Sequence, residues 1–123
     1  MKAVRKKPGE PTEILDVDNT LEALQAEVGR YIESFQIASD CTILCNEEGK
    51  LLPLEPNLLF CGEAFFGTVL AVGVRGEAFC SLKPMAADSM MKWWGAKDTW
   101  LTGGSERRSG YREKSCGKTV SLL

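Results

Sequence analysis

Apolar and polar positions alternate with a period of two at the start of the chain, shift to a helical period near residue 20, and then return to two. Residues 2–6 and 12–17 form the first alternating pair, with Pro8-Gly9 and Pro11 punctuating the connection, so they predict a β-hairpin with Ile14 and Leu15 directed inward. Leu21, Leu24 and Val28 then fall at i, i+3 and i+7, the stripe of an amphipathic helix over about 20–28. Asn19 is the expected N-cap, because its side-chain oxygen can accept from an orphan backbone N–H and Glu22 stands three residues on. Gly29 is the expected stop, since the position after a helix often needs positive φ. Tyr31–Ile37 alternates again, with Tyr31, Phe35 and Ile37 on one face and Glu33 as the exception.

Cys41–Asn46 reads as a strand, and Glu47-Glu48-Gly49 as a short hairpin loop returning into Lys50–Leu54. Leu58–Phe66 is apolar without a clear period. Residues 67–74 (GTVLAVGV) are apolar almost throughout, the mark of a central strand buried on both faces. Arg75-Gly76-Glu77 turns the chain, and Ala78–Leu82 pairs back. A second helix is expected over about 84–94, opened by Pro84 in its first turn and ended by Gly95. Ala87, Met91 and Trp94 would line its inner face, with Met90 widening the stripe. These elements predict one α+β domain over 1–101. It is a mostly antiparallel sheet of five to seven strands with the 20–28 helix on one face and the second helix against the edge or the same face. Residues 102–123 are rich in Gly, Ser and Arg. They carry too few apolar side chains to offset the entropy of ordering, so a mobile basic tail is expected.

Composition removes several chemistries. The chain of 123 residues is long enough for one modest core. It contains no histidine, which excludes histidine-based nucleophile dyads and triads and the commonest metal ligand. No apolar run approaches the roughly 20 residues of a membrane span, and MKAVRKKPGEP has no apolar h-region, so a cytoplasmic chain is expected. In that compartment Cys41, Cys45, Cys61, Cys80 and Cys116 should be thiols. Only Cys41 and Cys45 have close spacing, and a strand sets them about 7 Å apart, so neither a zinc site nor a reactive cysteine is expected. GxGxxG and GxxxxGK[ST] are absent, and no carboxylates stand at a ligand or acid–base spacing, so no cofactor, metal or catalytic residue is assigned.

Charge is unevenly placed. Residues 10–63 hold twelve acids against Arg30 and Lys50, whereas residues 1–9 and 64–123 are each net basic. An acidic solvated face is the plain reading of the middle segment. The more specific feature is Met85–Trp100. Trp93 and Trp94 are about 100° apart on a helix and cannot both face one core. Exposed Trp and Met are enriched at interfaces. Trp93, Trp94, Trp100, Met90, Lys92, Lys97, Arg107 and Arg108 are therefore the candidate partner-binding residues. The same basic residues interleaved with aromatics could stack bases and contact phosphates.

The segments NTLEALQAEVG, YIE, CNEEGKLL, PN, GTVLAVGV and SL, in that order, resemble a small uncharacterised domain family of phages and conjugative elements in gut and Gram-positive bacteria. The likeness covers about residues 2–82. The chain departs from the family pattern at Gly29-Arg30 and at Leu52-Pro53, and KPMAADSMMKWWGAKDTWL is richer in Met and Trp than the charged helix usual there. The resemblance implies a mobile-element accessory protein in the host cytoplasm and assigns no catalytic residue. With the missing catalytic equipment, it leads to the expectation of a non-enzymatic protein that binds a host macromolecule, a defence component being one candidate. Two alternatives stay open: an oligomer that binds a nucleotide signal, and a nucleic-acid-binding accessory protein.

Overall fold

A computed structural model describes residues 1–48, 54–96 and 119–121. The elements run β1 (Lys2–Lys6), β2 (Glu13–Asp16), α1 (Leu21–Val28), β3 (Ile32–Ala38), β4 (Cys41–Asn46), β5 (Pro56–Phe60), β6 (Glu63–Phe66), β7 (Val69–Arg75), β8 (Ala78–Cys80), α2 (Pro84–Gly95) and β9 (Thr119–Ser121). The main sheet has the order β2-β1-β7-β4-β3-β9, with β8 also on β7, and every pairing is antiparallel. β5 and β6 form a separate two-stranded hairpin. The α+β class expected from the periodicity is the class observed.

The layering follows from neighbouring residues that split between two cores. Val4, Ile43, Val69 and Ala71 belong to a cluster closed by α2 and the β5–β6 hairpin. Their chain neighbours Ala3, Leu44, Leu70 and Val72 belong to a second cluster closed by α1. The central strand β7 thus has both faces buried, as its unbroken apolar run requires. α2 accordingly lies on the face opposite α1, over the β1–β2 edge, and not beside α1. With α1 only eight residues long, the second face needed its own cover, and α2 with the small hairpin supplies it.

Local details differ from the sequence reading in instructive ways. Thr20, not Asn19, caps α1: its hydroxyl accepts from Ala23 N–H at 3.1 Å. Asn19 instead donates from Nδ2 to the carbonyl of Phe79, 2.9 Å away, and ties the helix entry to β8. Tyr31 lies outside β3 and is partly exposed, with the Arg30 guanidinium 5.4 Å from its ring centroid. Phe35 and Ile37 do share the α2-side cluster. Most of the return strand expected at Lys50–Leu54 lies outside the described residues. Leu54 itself is not in a strand, and β3 and β7 occupy both edges of β4. The ambiguous run at 58–66 is the β5–β6 hairpin, turned by Cys61 (φ 53) and Gly62 (φ 76) between Phe60 and Glu63. Two positive φ values in a two-residue loop are the requirement of a type I′ turn, whose twist suits paired strands. Finally, Thr119–Ser121, within the stretch read as a tail, pairs antiparallel with Glu33–Phe35.

Candidate functional site

α2 is placed by what it buries. Pro84 stands in its first turn, where a missing N–H costs nothing. Lys83, just before it, reaches Asp40 in the β3–β4 turn at 3.0 Å. Ala87, Met90 and Trp94, at i, i+3 and i+7, are buried against the sheet, and Met91 packs partly against the same cluster. Trp94 is fully enclosed and meets Phe60 edge-on, ring centroids 6.1 Å apart at 88°. Trp93 tilts against the same Phe60, 5.8 Å away at 37°, yet is 49% exposed. Phe60 therefore sits between two consecutive indoles, one inside and one at the surface.

Away from the sheet the helix presents Met85, 80% exposed, with Asp88 and Lys92, and Trp93 lies on the flank next to the buried stripe. At about 100° and 1.5 Å per residue, Trp93 stands about 80° around the helix and about 12 Å along it from Met85. Met85 and Trp93 are thus separate exposed apolar side chains, and Trp93 is held by its Phe60 contact rather than swinging freely. This arrangement sorts the candidate partner-binding residues. Trp93 and Lys92 are at the surface. Met90 and Trp94 are core residues, because their spacing with Ala87 turns them to the sheet, and they offer no surface to a partner. Trp100, Lys97, Arg107 and Arg108 lie outside the described residues.

Two polar constellations escaped the sequence reading. Arg5 donates from Nη1 to Glu27 Oε1 at 2.7 Å, and from Nε and Nη2 to Glu13 Oε2 at 3.0 and 2.7 Å, tying β1 to β2 and to α1. Partial burial works against its charge, but the two carboxylates outweigh this and raise its pKa. On the other face, Lys6 is fully enclosed. Its Nζ donates to the carbonyl of Lys7 at 2.8 Å and to Asn57 Oδ1 at 3.3 Å. Asn57, also buried, donates in turn to the carbonyls of Lys6 and Gly67 at 2.8 and 2.7 Å, and so fastens β5 to the main sheet. Burial lowers the Lys6 pKa, with Glu10 acting in the opposite sense. The signal was present in β1, where Lys6 shares with Val4 the face that alternation assigns to the core.

Cys41 and Cys45 are buried, and Cys61 and Cys80 partly so. Burial, with Asp40 adding to it, pushes the Cys41 thiol up to about 11, so it is protonated at neutral pH and a poor nucleophile. Among the described residues no group of three or more Cys, Asp or Glu converges as metal ligands would, and no helix is long and apolar enough to cross a membrane.

No curated protein and no solved structure matches the chain. A family model does match residues 1–95, from β1 to the last residue of α2, and so covers both cores and the whole α2 face. The chain belongs to that family, described as Domain of unknown function (DUF3846).

Proposed function

We propose that the protein acts without catalysis, by binding a partner protein through the exposed surface of α2, with Trp93 as anchor, Lys92 beside it and Met85 about two turns away. The observation that carries this reading is Trp93, half exposed on a helix that three buried side chains lock in place and braced by Phe60. A large amphipathic ring already held in one position loses little side-chain entropy on binding, which is what makes tryptophan an interface anchor. The absence of histidine and the protonated Cys41 are consistent with a role that needs no nucleophile or general base. The resemblance of residues 2–82 to phage and conjugative-element proteins supports a mobile-element accessory factor whose partner is a host macromolecule, a defence component among the candidates.

The test is affinity capture from bacterial lysate with the full chain, its Trp93→Ala variant and its Met85→Glu variant, after each is shown to be folded by circular dichroism. The reading expects a saturable protein partner, retained by the wild type and lost by both variants. Equal retention by all three proteins would overturn it. So would tight binding of DNA or RNA at low salt that falls steeply as salt rises, since that dependence marks phosphate contacts.

A further inference from the structure

The main sheet ends in β2 on one side and β9 on the other, and the two edges are managed differently. β2 is only four residues long and carries Glu13 and Asp16, each paired to a cation of β1. Shortness and charge are the usual means of keeping an edge from pairing with another chain. β3 is seven residues long and has a more apolar run. Its far half is blunted: the register shifts between Gln36 and Ala38, and the Gln36 side chain donates to the Ala38 carbonyl at 3.0 Å. A bulge and a side chain on the backbone both discourage a further strand. Its near half, Glu33–Phe35, keeps a regular register with β4. That is where β9 pairs, Glu33 against Ser121, Ser34 against Val120 and Phe35 against Thr119.

The geometry points to the Glu33–Phe35 edge of β3 as a strand-docking site, filled in cis by Thr119–Ser121 and open in trans to an extended, basic segment of a partner protein. Three residues of pairing form a small unit, and closing a long connection back to the edge costs entropy that grows with its length. Residues 96–118 separate α2 from β9 in the sequence. The cis strand is therefore easily exchanged for another. The chemistry of the incoming segment is set by the sequence that already fits. Val120, a β-branched residue, is central in the register, Lys118 immediately precedes the strand, and residues 102–123 carry five bases against two acids. The body that receives them is acidic, with twelve acids and two bases over residues 10–63. Main-chain hydrogen bonds supply affinity in such β-augmentation, and charge complementarity selects the partner.

The test uses the full chain and a full-length T119P/V120P/S121P variant, whose prolines remove the N–H groups a ladder needs. The probe is a fluorescein-labelled peptide of residues 114–123, read by anisotropy. The expected result is binding to the proline variant at least about tenfold tighter than to the wild type, because the cis strand no longer competes. A peptide with both lysines changed to glutamate should bind at least about tenfold more weakly than the natural one. Amide exchange at Glu33–Phe35 should be faster in the proline variant than in the wild type. Failure of the variant to bind peptide at millimolar concentration, equal binding by the two proteins, or unchanged exchange would each overturn the proposal. A wild-type dimer seen by light scattering and abolished by the prolines would do so as well, by making a second copy the occupant. Trp93→Ala should leave peptide binding unaltered, so this edge and the α2 face fail or stand separately.

Discussion

Two adjacent tryptophans give the sharpest test of how α2 is seated. Trp94→Ala removes a fully enclosed indole from among Phe60, Met90 and the sheet. A buried Trp→Ala change costs about 3–5 kcal/mol, the lost transfer energy plus the cavity that remains. Trp93→Ala removes a ring that is already 49% exposed. Half the burial, roughly 100 Å² at about 25 cal/mol per Å², with a discount for residual structure in the unfolded chain, leaves about 1–2 kcal/mol, including its contact with Phe60. For a chain of 123 residues the unfolding entropy near the midpoint is about 0.26 kcal/mol per kelvin. Trp94→Ala should then lower Tm by about 12–20 °C, and Trp93→Ala by about 4–8 °C. Thermal and urea unfolding followed by far-UV circular dichroism measure both. Should Trp94→Ala fail to fold, Trp94→Phe keeps part of the packing and should still cost more than Trp93→Phe. Equal losses at the two positions, or a loss below about 1 kcal/mol at Trp94, would refute the placement of the helix and with it the outward face.

Three further substitutions probe the scaffold beneath that face. Gly73→Ala would set a Cβ 2.5 Å from the Ser81 carbonyl oxygen and 3.1 Å from that of Cys80. Backbone must move to admit it, at a cost of about 1–3 kcal/mol readable by urea unfolding. Asn57→Ala deprives the carbonyls of Lys6 and Gly67 of a donor and Lys6 Nζ of an acceptor. Leaving buried polar groups unpaired should cost at least about 2 kcal/mol in the same assay. Lys6 has a folded pKa below its ordinary 10.5, so its burial penalty is present below the folded pKa and is relieved as pH rises through that value toward 10.5. The stability of the wild type minus that of Lys6→Met should therefore increase with pH across this window, and a flat or falling difference would contradict a charged, buried Lys6.

The regular part of this fold was legible because it depends on short-range periodicity. The β1–β2 hairpin, the central strand at Val69–Arg75 and both helices lie where alternation or the 3.6-residue stripe put them, although in β2 it is Leu15 that packs on the core and Ile14, expected inward, is exposed. Errors arose where two local answers were equally good and a distant contact chose between them. Asn19 and Thr20 are both good caps, and the carbonyl of Phe79, sixty residues away, draws Asn19 out of the role. The type I′ turn at Cys61-Gly62 was hard to anticipate because cysteine rarely adopts a positive φ.

The seating of α2 was a different matter, since the information was already in the chain. A strand without a polar side chain from Val69 to Val74 cannot have one wet face, so a central β7 demands cover on both sides of the sheet. A single eight-residue helix cannot supply both. The second helix had to cross to the opposite face, and once there its stripe of Ala87, Met90 and Trp94 fixes which side looks outward. The exposure of Trp93 is thus a geometric consequence of burying Trp94 one residue later. That α2 must be helical and amphipathic is explained by the core alone; that it should carry Met85 where lysine or glutamate would serve the fold as well, and leave half of the Trp93 ring in water, is not. This excess over what folding requires is the reason to look for a partner there.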